Sequence, residues 1–505
     1  MRTTTPQRPP WQEWPDDRPA GVVAGSGRHL ADSDTQPLPA AYAKRPSPSS
    51  RFSRSAPSLA DVETVRLPIV STGRAPVAER APAGLWRWSA QGRQWARRPW
   101  VLRVALLLGL VVLGVRAGFA SAAFMLPGGG ILGWSQLPQA HCLLCHPPQP
   151  TGSAQAGHPL TPAEYAAMLV PRLTLDEEVG QLMLVDFVGT TVNPDTVQMI
   201  NAEGASGVLY FSSNISSPEQ LRTLNAQLQS LASIPLFISV DQEGGPVNRF
   251  LNVLGPLPAA ADLQTPAQAL QRGEQDAGYL HDYGFNLNLA PVVDVGTVNP
   301  QLAGRTFGST PDRVTQMARA YLTGLQQSGL LTGALKHFPG LGSTTTDPHI
   351  GLPILKHSLQ QWEQIDLAPY RALLQTGDVR AIMVTHVMYP LLDPTYPSSL
   401  SPALIDGVLR GELGFQGVVV TDSLYMGALN QRWSIPEAAV LAIKAGADLL
   451  IGPYTPQIVQ QTKEALEQAV SSGTLSKARI DTSVQRILAL KIQMGLIPLP
   501  SQVAG

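Results

Sequence analysis

From about residue 171 the chain repeats one arrangement eight times: a short apolar run bounded by turn residues, followed by a longer segment of helical character. The runs occupy 180–187, 207–211, 235–241, 286–294, 330–336, 381–386, 417–422 and 447–452. Their length and content of Val, Ile and Leu suit strands buried on both faces. Segments such as 311–328, 358–375, 436–445 and 456–471 read as helices, with Ser, Pro or Asp near their starts. Alternating strands and crossover helices in this number predict an α/β fold, a (β/α)8 TIM barrel forming a single catalytic domain over 171–497. An open doubly wound sheet is the alternative.

The polar residues favour the barrel. Asp241, Asp294, Lys336, His337, His386 and Asp422 fall at the carboxyl ends of five of the runs, Lys336 and His337 sharing one, so closing the sheet would gather them on one face. Any one alone could be a solvated strand end or a helix cap. The densest stretch is KHFPGLGSTTTDPH at 336–349, which places a cation, histidines, a carboxylate and a glycine-rich turn directly behind an apolar run. A turn would account for Pro339, Gly340 and Gly342 but requires neither Lys336 nor two histidines. Such a loop suits a neutral, hydroxyl-rich substrate.

The amino-terminal third differs. Residues 1–100 hold 14 prolines and no sustained helical or alternating pattern, so a disordered Pro/Arg-rich tail is expected. Residues 1–103 carry 16 Lys and Arg against 8 Asp and Glu, a net of +8, while the remainder carries 20 against 29, a net of −9. Between the two lies an apolar stretch, 101–126, with Arg87, Arg93, Arg97, Arg98 and Arg103 crowding its amino-terminal side. It reads as a single transmembrane signal-anchor. The positive-inside rule then puts the tail in the cytoplasm and the catalytic domain outside the cell membrane, with the arginines placed to meet anionic lipid. Arg116 near mid-span is costly there. A cleavable secretory signal ending near Ala122 is the rival, and it also exports the domain.

The only two cysteines, Cys142 and Cys145, stand in HCLLCH at 141–146, within a linker expected over 127–170. CxxCH is the spacing of covalent haem attachment, but a Gly/Pro-rich linker offers no enclosing helical domain. A metal site is a further alternative, and a local disulfide or a thiol pair is the simpler reading.

Six separated motifs carry a family resemblance: DQEGGPVNR (241–249), NLAPVVD (288–294), RTFG (305–308), KHFPG (336–340), DPH (347–349) and TDSLYMG (421–427). In this order they resemble the family 3 glycoside hydrolases, in particular the single-domain β-N-acetylhexosaminidase branch. The resemblance runs from about 173 to 496. It implies a retaining, exo-acting glycosidase in which Asp422 is the nucleophile and forms a glycosyl-enzyme intermediate. It implies, too, that His349, oriented by Asp347, is the acid/base. Histidine ordinarily titrates near neutrality and can give and take a proton in turn. Asp241, Arg249, Arg305, Lys336 and His337 would then bind the sugar, and no metal or organic cofactor would be required.

The chain departs from the family at three places, with Pro348 where Ser is frequent, Leu341 where His is frequent and Pro246 where Arg is common. Pro348 stiffens a loop that the family's mechanism expects to swing. The length beyond Asp422 suggests no second α/β domain. This tilts the expected substrate toward terminal β-linked N-acetylglucosamine in peptidoglycan fragments or chitooligosaccharides. A β-glucosidase, a phosphorylase of the same family, and a catalytically silent sugar-binding membrane receptor remain the alternatives. Nothing in the sequence suggests nucleic-acid binding.

Overall fold

The computed structural model describes residues 143–144, 160–296 and 298–500. The expected tail, Cys142 and Cys145, and the apolar span over 101–126 lie outside them. Among the described residues no helix is long and apolar enough to cross a membrane.

Eight parallel strands close into a barrel in sequence order: β1 Met183–Asp186, β2 Gly207–Tyr210, β3 Phe237–Val240, β4 Leu287–Asn288, β5 Thr332–Phe338, β6 Ala381–Val384, β7 Val418–Ser423 and β8 Leu449–Ile451. Closure comes from β1 pairing with β8, Leu184 opposite Ile451. A closed sheet covered by helices has no solvated face, so its strands are buried along their length rather than on alternate residues. Every residue of β1 to β6 and β8 is buried. The open-sheet alternative is therefore set aside.

Local chemistry fixes the helix boundaries. Ser358 and Ser434 each cap a helix, accepting from the third backbone N–H while Gln361 and Glu437 return the bond. The helices Pro266–Tyr283 and Pro311–Gln326 approach closely where each offers a glycine. A Cβ on Gly273 would stand 2.2 Å from the Tyr321 carbonyl oxygen, and one on Gly324 would stand 2.3 Å from that of Leu270.

Two elements differ from the sequence expectation. The helix expected over 358–375 is two helices, Leu359–Gln364 and Ala368–Leu374. Pro369 has no N–H for the Ile365 carbonyl and its ring would crowd that group, so the first helix stops. The run at 286–294 gives only a two-residue ladder in β4, because Pro291 interrupts the donors; the chain rejoins β5 where Val293 N–H donates to the Lys336 carbonyl at 2.6 Å.

Candidate active site

At the carboxyl end of the barrel a cleft is lined by Asp241, Arg249, Arg305, Lys336, His337, His349 and Asp422. Seven of the eight site residues expected from sequence thus share one cavity. The eighth, Asp347, stands behind His349 and accepts from it.

The floor of the cleft is an ion network. Glu243, on the loop after β3, takes Arg305 in a bidentate pair, with Nε and Nη2 each 2.8 Å from a carboxylate oxygen. Lys336, in the last turns of β5, reaches both Glu243 at 2.7 Å and Asp241 at 2.6 Å. Burial alone would push the Glu243 carboxyl up, but Arg305 and Lys336 override it and hold the group well below the usual range. Burial likewise works against the Lys336 cation, and the charges of Asp241 and Glu243 raise it above the ordinary lysine value. Glu243 is therefore held as an anion between the two cations, with Asp241 paired to Lys336, their hydrogen-bonding edges held for a polar ligand.

Beside the network His337 is clamped. Its Nδ1 lies 2.6 Å from Asp294 Oδ2, and the other Asp294 oxygen accepts from Leu341 N–H at 2.6 Å. Nδ1 therefore bears the proton, and Nε2 faces Arg305 Nη2 at 3.4 Å as acceptor. Asp294 has a fully buried side chain and orients His337 rather than lining the cleft.

Asp422 sits in β7. Thr385 Oγ1 donates to its Oδ2 at 3.0 Å, and Ser423 N–H donates to Oδ1 at 2.9 Å. Burial pushes this carboxyl up, but the surrounding imidazoles of His386, His337 and His349 and the Ser423 N–H outweigh it, so the group stays ionised below the usual carboxylate range. His386, which the sequence grouped with the strand-end cluster, is completely buried behind Asp422, with Nε2 donating to the Ser423 carbonyl at 2.9 Å and Nδ1 2.7 Å from Ser399 Oγ. Burial lowers its pKa, against the pull of the Asp422 charge.

The loop after β5 brings His349 into the lining of the same cleft. Its Nδ1 is 2.8 Å from Asp347 Oδ1, and its backbone N–H donates to the same oxygen at 2.9 Å. These bonds overcome the cost of burial and hold Asp347 below the ordinary range. The loop is fastened from below. Ala428 N–H donates to the Pro348 carbonyl at 2.9 Å, Gly427 N–H to that of His349 at 3.2 Å, and Gln431 Nε2 to that of Ile350 at 2.9 Å.

Two groups here were not assigned from sequence. Glu243 stands inside a quoted motif, and its signal was a second acid two residues after Asp241. Asp186 ends β1, the strand-end position already shared by the other candidates. Its side chain is buried, and Oδ1 has no hydrogen-bond partner within the protein. Burial and the charge of Asp241 raise its pKa to about 8, against the pull of Arg249. Among the described residues no three His, Cys, Asp or Glu side chains form a group that could hold a metal ion.

The chain is 29% identical over 386 residues to beta-hexosaminidase A of Pseudoalteromonas piscicida, covering 66% of this chain and 64% of that protein. It is 34% identical over 281 residues to a beta-hexosaminidase of Idiomarina loihiensis, covering 54% and 83%. Among solved structures it is similar to a glycoside hydrolase family 3 beta-N-acetylglucosaminidase from Paenibacillus sp. str. FPU-7, with TM-score 0.62, 36% identity and coverage of 66% and 65%. It resembles M tuberculosis LpqI as well, with TM-score 0.59, 31% identity and coverage of 66% and 97%. The chain thus spans just under two thirds of the Pseudoalteromonas and Paenibacillus proteins. The glycosyl hydrolase family 3 N-terminal domain matches residues 174–490, all eight strands included, and the chain belongs to that family.

Proposed function

We propose that this chain is a retaining, exo-acting glycosidase that hydrolyses terminal β-linked N-acetylglucosamine. The observation that carries the reading is the pairing across one cleft of an ionised Asp422 with an Asp347-oriented His349, above the Asp241, Glu243, Lys336 and Arg305 floor. Asp422 attacks the anomeric carbon while His349 Nε2 protonates the leaving oxygen; the resulting neutral imidazole then takes a proton from water, which releases the sugar with its anomeric configuration retained. Asp347 stabilises the imidazolium form in each half-reaction. The ion network binds sugar hydroxyls, with Arg249 and His337 on its flanks.

The test compares aryl β-N-acetylglucosaminide with aryl β-glucoside, using wild type, Asp422→Ala and His349→Ala. Asp422→Ala is expected to lose activity by at least about 10³-fold and His349→Ala by about 10² to 10⁴-fold, with the acetamido sugar preferred. Equal cleavage of both sugars would overturn the substrate assignment, and full activity in Asp422→Ala would overturn the mechanism. Release of sugar 1-phosphate in phosphate buffer would identify a phosphorylase. We further propose that the span at 101–126 anchors the domain outside the cell membrane, with cell-wall fragments or chitooligosaccharides within reach. Domain released by protease from intact cells supports this topology, and full protection refutes it.

A further inference from the structure

Gln242 stands between Asp241 and Glu243, the two acids of the cleft floor, and is itself completely buried. Its N–H donates to Asn288 Oδ1 and its carbonyl accepts from Asn288 Nδ2, each at 2.9 Å. Its side chain crosses the loop. Oε1 accepts from Arg249 N–H at 2.8 Å, and Nε2 donates to Asn248 Oδ1 at 3.1 Å. One glutamine therefore holds both ends of DQEGGPVNR, the segment that brings Asp241, Glu243 and Arg249 to the cleft.

Behind this segment lies Asp276, in the helix Pro266–Tyr283, with a fully buried side chain. Its Oδ1 accepts from Arg272 Nε and from the Tyr279 hydroxyl, and its Oδ2 from the Tyr321 hydroxyl, each at 2.7 Å. Each of the three donors leads on to the same segment. The Tyr321 oxygen accepts from Asn288 Nδ2 at 3.2 Å, and the Tyr279 hydroxyl also faces the Gln242 side chain. Arg272 Nη1 donates to the Pro258 carbonyl at 3.1 Å, and the guanidinium lies under the turn after Glu243, where a Cβ on Gly244 would stand 2.9 Å from Nη2. None of these bonds involves Asp422, Asp347 or His349.

Burial raises the Asp276 pKa, and the Arg272 charge and the three hydrogen bonds oppose that rise. A space that only had to be filled would take an apolar side chain at lower desolvation cost. What the acid adds is direction, since its donors all brace one functional loop. Resting on the assignment of the floor to sugar hydroxyls, we propose that Asp276 is a positioning residue for sugar binding. It acts through Tyr321, Asn288 and Gln242 on Arg249, and through Arg272 on the turn that aims Glu243.

The full chain and its Asp276→Asn, Tyr321→Phe and double variants are assayed on aryl β-N-acetylglucosaminide, with calorimetric binding of free N-acetylglucosamine alongside. Asp276→Asn should raise KM by about five- to thirtyfold and Tyr321→Phe by about two- to fivefold, with kcat within about threefold of wild type. The dissociation constant of N-acetylglucosamine should rise in step. Because both residues act along one path, the double variant should be no worse than Asp276→Asn. A merely structural role reads differently: fewer folded molecules lower the apparent kcat and leave KM at the wild-type value, the outcome expected for Asp448→Ala, an equally buried acid elsewhere in the barrel. An unchanged KM in Asp276→Asn, or additive effects in the double variant, overturns this inference alone. If Asp276→Asn does not fold, Tyr321→Phe, which loses a single oxygen, decides in the same way. Failure of the wild type to cleave the glycoside removes the glycosidase reading and the inference with it.

Discussion

Asp186 titrates high, whereas Glu243, Asp347 and Asp422 are held low. Its folded pKa, about 8, lies above that of an unfolded aspartate, so the folded state holds a proton that the unfolded state has released. For this group stability is fully present below the unfolded value, near pH 4, and falls away as pH rises toward 8. Asp186→Asn, which removes the titration, should therefore gain stability relative to wild type as pH increases from about 4 to 8, measured by urea unfolding at several pH values. A difference constant over that range would show that Asp186 is ionised in the fold. Asp241, Lys336, His337 and Asp422 were legible because a strand-end position and a polar side chain coincide in sequence. Glu243 was not. Its carboxylate reaches Arg305 and Lys336 only because Gly244 and Gly245 adopt positive φ of 84° and 51°, and a Cβ on Gly244 would stand 2.3 Å from the Pro258 carbonyl oxygen. Sequence can suggest such a turn; it cannot say toward what the turn aims an acid. His386 shows the converse, a strand-end histidine whose ring the β7 backbone claims.

At the scale of elements, the informative one is the loop 347–351, where the chain departs from its family by Pro348. The sequence suggests a stiff loop, and the structure supplies a second cause of stiffness, the three hydrogen bonds from Gly427, Ala428 and Gln431. All three use carbonyl groups of 348–350, which any residue provides. Pro348→Ser would keep them and restore only the backbone freedom that proline removes, about 0.4 to 1 kcal/mol. On the proposed mechanism this predicts a loss of about two- to fivefold in kcat/KM, because more of the chain's freedom must be lost to place His349. Faster exchange of the 349–351 amides with deuterium should accompany it. An unchanged kcat/KM would assign the loop's order to the hydrogen bonds alone. The break between the helices Leu359–Gln364 and Ala368–Leu374 was equally written in the chain, at Pro369, but periodicity ran through it because apolar spacing continues across the interruption.

Across the whole molecule the barrel divides labour between its ends. The eightfold alternation of apolar runs and helices was enough to read the barrel, since buried parallel strands have no other economical connection. What holds the amino-terminal end together was invisible, because it is one acid meeting partners from distant segments. Asp448, just before β8, accepts from Val419 N–H at 3.0 Å, Ser483 Oγ at 2.8 Å, Arg486 at 3.1 Å and Arg479 at 3.2 Å, and also pairs with Arg410. It thereby ties β7 and the start of β8 to the helices Ala403–Glu412 and Lys477–Gln493, the latter of which packs on Pro162–Leu169, the first helix among the described residues. Burial already lowers the Arg410 pKa to about 10, with Asp448 opposing that loss. Removing the acid leaves buried guanidinium charge without compensation, and Asp448→Ala is expected to cost roughly 3 to 5 kcal/mol in urea unfolding. The cleft lies at the other end of the strands, so kcat/KM of the folded variant should stay within about twofold of wild type. A small change in stability would mean that water satisfies the three arginines once the acid is gone; a large change in kcat/KM would mean that closure of the barrel at its amino end sets the spacing of Asp422 and His349 at the other.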